Sequence, residues 1–408
     1  MRLAWLPQNL RSSLRTRRRP SGNRLRVRQL ERRRVLAASV TDIFFAPADL
    51  DPGTAVHDSN EGSQITATAN ASGQGQLNYG WQLSQGDTVI TQSTSTSFVF
   101  TPPDDGVYTV SLKVTDSAQT AASHSEEIIV HNVAPELTNV VGDTIHESQT
   151  ADIFVTIVDP GALDVFEIDV DWKDGDPIDT ITGLGSTDAS GIEGNTAYEW
   201  TAATRQLKLS HQFLDDNPTG TASDTYHVTL VARDNAMGES QPVVANVVVN
   251  NVRPVLHVAP NQMVNEGETL DLSGMGAPPL AVFIDPGLED TFTVTVDWGD
   301  GSPIATPTIF QGVGAAALGA THVYADNGLY EVKVTVTDDD GGMDMQSFFV
   351  TVKNVPPVLV VAPDQMVNEG AVLDLSGMGA PPLGLFIDPG LLDTHTVTVN
   401  WGDGTPTE

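Results

Sequence analysis

The stretch at residues 293–301 reads TVTVDWGDG, and a near copy, TVTVNWGDG, occupies 396–404. Apolar and polar residues alternate here: Val294, Val296 and Trp298 share one face, Thr293, Thr295 and Asp297 the other. A period of two means a half-buried β-strand with the Trp on its buried side. The Gly-Asp-Gly that follows suits a tight turn, because Gly tolerates positive φ and Asp bonds its own backbone. A Trp among carboxylates and glycines could also belong to a ligand site or line a catalytic cleft. The strand pattern favours packing, since an indole between two sheets is worth about 3–5 kcal/mol against Ala.

The same stretch exposes a repeat. Residues 256–303 and 359–406 agree at 38 of 48 positions, offset by 103 residues, and share VNEG, LDLSGMGAPPL, FIDPGL and WGDG. Looser copies lie upstream. Matching junctions read Asn132-Val133-Ala134-Pro135, Asn251-Val252-Arg253-Pro254 and Asn354-Val355-Pro356-Pro357. The expected division is a basic head at 1–39, whole units at 40–133, 134–252 and 253–355, and a partial unit at 356–408. Each whole unit has the alternating pattern. Phe166, Ile168, Val170 and Trp172 match the Trp298 strand, as do Leu77, Tyr79, Trp81 and Leu83. A later strand carries Tyr330, Val332, Val334 and Val336, with counterparts starting at Tyr108 and Tyr226. Alternating strands between Gly, Asp and Pro turns, about 100 residues per unit, indicate tandem antiparallel sandwiches. No segment shows a helical period.

Charge is unevenly spread. The first 34 residues hold twelve Arg and one Glu, about +11, so the remainder carries about −44 within the net −33. Such an acidic body repels nucleic acid and anionic membrane surfaces and attracts divalent cations. There is no Cys, which excludes disulfides and thiolate metal sites. No apolar run approaches the ~18 residues of a membrane span. The head reads as a disordered basic tail. Its apolar run VLAASV is too short for a secretory h-region. The segment QLERRRVLAAS at 29–39 resembles the LEPR-type motif near the N-termini of large exported bacterial proteins. Arg32 replaces the Pro of that motif, and Val35-Leu36 supplies its apolar pair.

The third unit resembles the polycystic-kidney-disease (PKD) domain, an Ig-like β-sandwich. It carries VDWGDG followed by HVYADNGLYEVKVTVTDDDGG at 322–342. The second unit departs at Lys173 and carries an insertion around 183–204, and the first lacks the Gly-Asp-Gly turn. Gly328-Leu329-Tyr330 reads as a tyrosine corner, a Tyr hydroxyl tying a crossover loop to the sheet. The resemblance covers most of residues 41–408. It implies a non-catalytic spacer or interaction module on exported proteins, whose partners would be extracellular matrix, glycans or other surface proteins.

Enzyme motifs are missing: no Gly-Lys-Ser/Thr, His-Glu-x-x-His, Gly-x-Ser-x-Gly or helix-opening Gly-x-Gly-x-x-Gly occurs. His211 and His322 precede the later strand in two units and read as packing residues beside the tyrosine corner. The alternative to a spacer is an accessory region of a larger secreted polymer-degrading enzyme. An intracellular nucleic-acid-binding protein is opposed by the acidic body.

The recurring acids suggest calcium. If chain direction reverses at each strand, one end of the third unit gathers Glu266, Asp300, Asp326 and Asn327 beside the exit residue Asn354. The other end gathers Asp285, Asp290, Asp338, Asp339 and Asp340. Glu61, Glu147 and Glu369 stand where Glu266 does. Units joined end to end would face carboxylates with carboxylates, and a hard cation with six to eight oxygen ligands would neutralise them. The competing reading is a set of solvated Asp-Gly turns. The arrangement is similar to that of calcium-rigidified cadherin-like arrays in the position of its loops. The end at Glu408, just after a third strand, leads to the expectation of a fragment whose half sandwich leaves an apolar face and open edges.

Overall fold

A computed structural model of the chain describes residues 37–47, 57–274, 278–312, 315–376 and 382–408. The basic head and its export-like motif fall outside these, apart from residues 37–39. Among the described residues every regular element is a strand, so the chain is all-β. It divides into two compact bodies, one made of the described residues up to Phe45 with Ala67–Phe98 and Thr109–Glu126, the other of the rest.

In the first body the strand Asn78–Gln85 pairs antiparallel with Thr88–Ser93 and with residues 109–115. Alternation puts Trp81, Leu83, Val110, Leu112 and Val114 inside. Trp81 stacks on Phe98 at 6.0 Å and donates its indole N–H to the Ser95 carbonyl. Asp116 closes the strand by accepting the N–H groups of Gln74, Ala118 and Thr120.

The second body holds the two best-formed sandwiches. In one, the sheet containing Phe166–Asp171 and Ser223–Arg233 faces the sheet containing Thr150–Val158 and Gln206–Gln212. Residues 183–204, read as an insertion, contribute the hairpin Ala189–Glu193/Thr196–Thr201 to the second sheet and bury Trp200 in the core. In the other, Thr293–Asp297 and Gly328–Thr337 pair in one sheet, with Val255–Val258 and Ala281–Ile284 in the opposite one.

Trp298 and Trp172 are each 2% exposed and sit in the cores, so the indoles are packing groups. Each begins an aromatic column. Trp298 stacks on His322, His322 meets the edge of Tyr324, and Tyr324 stacks on Tyr330. The other runs Trp172, His211, Phe213, Tyr226. The histidines therefore pack on the Trp, one ring removed from the tyrosine corner. The corners are formed: Tyr108, Tyr226 and Tyr330 donate to the carbonyls of Asp104, Asp215 and Asp326 at 2.9, 3.3 and 3.0 Å.

The turn after the Trp explains its glycines. Gly299 has φ +80°, and a Cβ there would lie 2.5 Å from the Glu331 carbonyl oxygen. Lys173 occupies the same place in the second repeat at φ 64° and pairs with Asp171.

Among the described residues of the fourth repeat only Val358–Val361 and Gly384–Ile387 pair as strands, and the expected strand at 396–401 joins no sheet. The described residues there hold no copy of Gly328–Thr337 for it to join. Trp401 is correspondingly 39% exposed, unlike its three counterparts.

Candidate metal centre

Three junctions between repeats share one construction, and all their residues belong to the second body. A short strand lies parallel to the last strand of each repeat. His57–Asn60 lies beside 128–131, Thr144–His146 beside 248–250, and Gln262–Asn265 beside 350–353. This is a departure from strict alternation of direction, and it matters. Parallel neighbours leave a sheet at the same end, so the residue after the short strand sits against the start of the linker. That residue is Glu61, Glu147 or Glu266. Its N–H donates to the carbonyl of His131, Asn250 or Lys353. Its Oε1 accepts the linker N–H of Val133, Val252 or Val355. The other oxygen, Oε2, is buried with no hydrogen-bond partner in all three.

Facing each Glu is a turn of the next repeat with the sequence Asp-Pro-Gly-x-x-Asp, at 159–164, 285–290 and 388–393. The Gly N–H donates to Oδ1 of the first Asp at 2.7, 2.9 and 2.9 Å, which fixes the turn. Backbone bonds dock it on the preceding repeat: Ala162 donates to Pro103, Leu288 to Leu214 and Leu392 to Ala325. Pro160 and Pro389 press on Gly62 and Gly267, where a Cβ would come within 2.4 and 2.6 Å of the proline Cβ. At the middle junction Ser148 holds that position, and its Oγ donates to the Pro286 carbonyl.

The outcome is a set of facing carboxylates. Glu61, Asp159 and Asp164 place one ligand oxygen each within 4.8 Å of one another, and so do Glu147, Asp285 and Asp290. Glu147 forms a second such set with Asp215 and Asp216. Both oxygens of Asp164, Asp216 and Asp290 are buried and unpartnered. The turn glycine is part of the cradle. A Cβ on Gly161 would lie 2.2 Å from Asp164 Oδ2 and 2.7 Å from Glu61 Oε2, and one on Gly287 would lie 2.2 Å from Asp290 Oδ1.

Removing these groups from water disfavours their ionised forms, and their neighbours' charges add to the effect. Burial pushes Glu147 and Asp290 up to about 8, Asp159 and Asp216 to about 7, and Asp285 and Glu61 to about 6. Arg205 donates to the carbonyls of Asp159 and Gly161, both at 2.6 Å, and its charge favours the ionised form of Asp164. Buried carboxylate oxygens without donors, converging from two repeats, are the donor set that a hard divalent cation takes.

Of the ten residues gathered at the two ends of the third unit in the sequence, Asp285 and Asp290 join the set at the second junction, and the other eight divide. Glu266 sits at the third junction, 1% exposed, and its charge and that of Asp326 both act on Asp393. Asp338 lies near the second junction, with Oδ2 unpartnered, and its charge raises Asp285. Asp340 faces Asp216. Asp339 instead binds Thr291 through N–H and hydroxyl. Asp300 is held by His322 at 2.7 Å and by the Ser302 N–H, inside its own turn. Asn327 and Asn354 are exposed. Asp159, Asp164, Asp215, Asp216, Asp388 and Asp393 were not singled out. The thrice-repeated Asp-Pro-Gly-x-x-Asp is the sequence signal for four of them. Asp174, Asp176 and His211 form another close group, in which His211 binds Asp174 at 2.6 Å and stacks on Trp172.

Comparison with known proteins follows the repeats. Residues 251–352 match the family model described as PKD domain, and residues 54–130 match a second PKD-domain family model. No curated protein sequence matches the chain. Three solved structures are similar to it at low identity. Dpr2 Ig1-Ig2 in complex with DIP-Theta Ig1-Ig3 is 10% identical over 76% of this chain and 99% of that one, TM-score 0.27. Drosophila N-cadherin EC1-4 is 14% identical over 76% and 75%, TM-score 0.25. The Bacteroides ovatus glucan-utilisation protein SGBP-B, in complex with a mixed-linkage heptasaccharide, is 12% identical over 81% and 76%, TM-score 0.18.

Proposed function

From a chain that carries PKD domains at residues 54–130 and 251–352, we propose a non-catalytic, exported spacer and interaction module whose repeat junctions are stiffened by calcium. The observation that carries the reading is the junction itself. A buried Glu, pinned by the next linker's N–H, turns an unpartnered oxygen toward an Asp-Pro-Gly-x-x-Asp turn of the following repeat. Without a cation these carboxylates repel once ionised, and the turn is pushed off the repeat on which it docks. With one, the ligands from two repeats become one coordination shell, and the linker between them loses its freedom. Extracellular modules of this kind bind calcium in the ~0.1–1 mM range, which suits an exported protein. Stiff, evenly spaced sandwiches can present their outer faces to matrix, glycan or surface-protein partners.

The chain has no Cys, so labels can be placed cleanly. Spin labels on cysteines introduced at the exposed Glu199 and Lys333 report the second junction. The expected distance distribution is narrow in millimolar calcium and broad in chelator. Superimposable distributions in the two conditions would sink the proposal.

A further inference from the structure

We infer that the second junction holds two divalent cations that share Glu147, an inference that rests on the calcium reading above. Two ligand sets meet there. Glu147 with Asp285 and Asp290 spans both repeats, while Glu147 with Asp215 and Asp216 uses residues of one repeat only. All five carboxylates are at most 5% exposed. Glu147 Oε1 accepts the Val252 N–H, which leaves the unpartnered Oε2 free to serve both sets. A carboxylate oxygen has lone pairs enough to bridge two hard cations.

Charge decides between one ion and two. Five buried carboxylates carry −5 when ionised, and one divalent ion would leave −3 in a site shielded from water. A second leaves −1. The charges that shift these five groups most are all carboxylates. At the first junction the core set is Glu61, Asp159 and Asp164, with Arg205 close by, and a single divalent ion brings it near neutrality. There the acid pair of the preceding loop, Asp104-Asp105, is only half-buried, whereas Asp215-Asp216 is buried. Asp340 of the third repeat faces Asp216, and two carboxylates in that relation need a proton or a cation between them. The inner ion would therefore also draw the third repeat down through Asp340.

Native mass spectrometry of the full chain in millimolar calcium counts the ions. The parent is compared with Asp216→Asn, Asp290→Asn and Glu147→Gln. These amides keep the side chains' shape, and near-ultraviolet circular dichroism of the buried tryptophans checks that each variant is folded. Asp216→Asn and Asp290→Asn are each expected to lose one ion, and Glu147→Gln two. A folded Glu147→Gln variant that loses one ion or none overturns the shared site and leaves the proposed function standing. A parent chain that binds no calcium overturns the reading beneath both.

Discussion

The backbone N–H of Val252 donates to Oε1 of Glu147 at 2.7 Å, across 105 residues of sequence. The bond holds the linker against the end of its own repeat and commits the second Glu147 oxygen to the next one. Linker path and ligand geometry are thus fixed by the same side chain. Saturating calcium, at ~100 times its dissociation constant, should stabilise the folded chain by about 2.7 kcal/mol per site. For a sandwich of roughly 100 residues that raises the melting temperature by about 10–20 °C. Calorimetric melts with calcium and with chelator measure it.

The same carboxylates set a pH dependence. Their folded values, about 6 to 8, lie above the ordinary values of 3.8 for Asp and 4.5 for Glu, so the native state binds protons more tightly than the unfolded one. In chelator this contribution to stability is fully present below about pH 4 and is lost as pH rises through 6 to 8. The melting temperature is therefore expected to fall between pH 5 and pH 8 without calcium. Calcium should suppress most of that fall, because it binds the ionised forms.

Gly287 tests the cradle. A methyl group there meets Asp290 Oδ1 at 2.2 Å and must displace the carboxylate. Gly287→Ala is expected to weaken calcium binding at the second junction about tenfold, ~1.4 kcal/mol, as read by calorimetric titration. Core tryptophan fluorescence should be unchanged, since Trp172 and Trp298 are packed in the sandwich cores, apart from this turn.

The sandwich was legible because its signals are local. Alternation in Thr293–Asp297 marks the strand, and the Trp on the inward side marks the core. The junction was half legible. Glu266, Asp285 and Asp290 follow from the order of strands and loops, but Asp300 does not join them. Its carboxylate is captured by His322, and the stacking of His322 on Trp298 is a contact between distant strands that the sequence does not display. Asp215 and Asp216 were hidden by a longer loop, which separates them from Tyr226 by more residues than Asp326 is separated from Tyr330. The short parallel strand, four residues or fewer, has too little pattern to announce itself.

Trp298 and Trp401 occupy equivalent positions and should respond oppositely. Trp298→Ala is expected to cost about 3–5 kcal/mol, seen as a lower urea midpoint for the third sandwich. Trp401→Ala, at a residue 39% exposed, is expected to change stability by no more than ~0.5 kcal/mol.

Lys353 ends the last strand of the third repeat, exposed beside the linker, and its carbonyl accepts the Glu266 N–H. Trypsin should cut after Lys353 faster in chelator than in calcium, because opening this end frees Glu266 from Asp393. Equal cleavage rates would count against a cation at the third junction.

Calcium titration calorimetry on the full chain at neutral pH is the most direct test. Cation-bridged junctions require saturable binding of more than one calcium ion, with protons released to the buffer as the raised carboxylates ionise. A titration indistinguishable from calcium into buffer would show that these facing carboxylates hold no cation, and the proposed stiffening would fall with it.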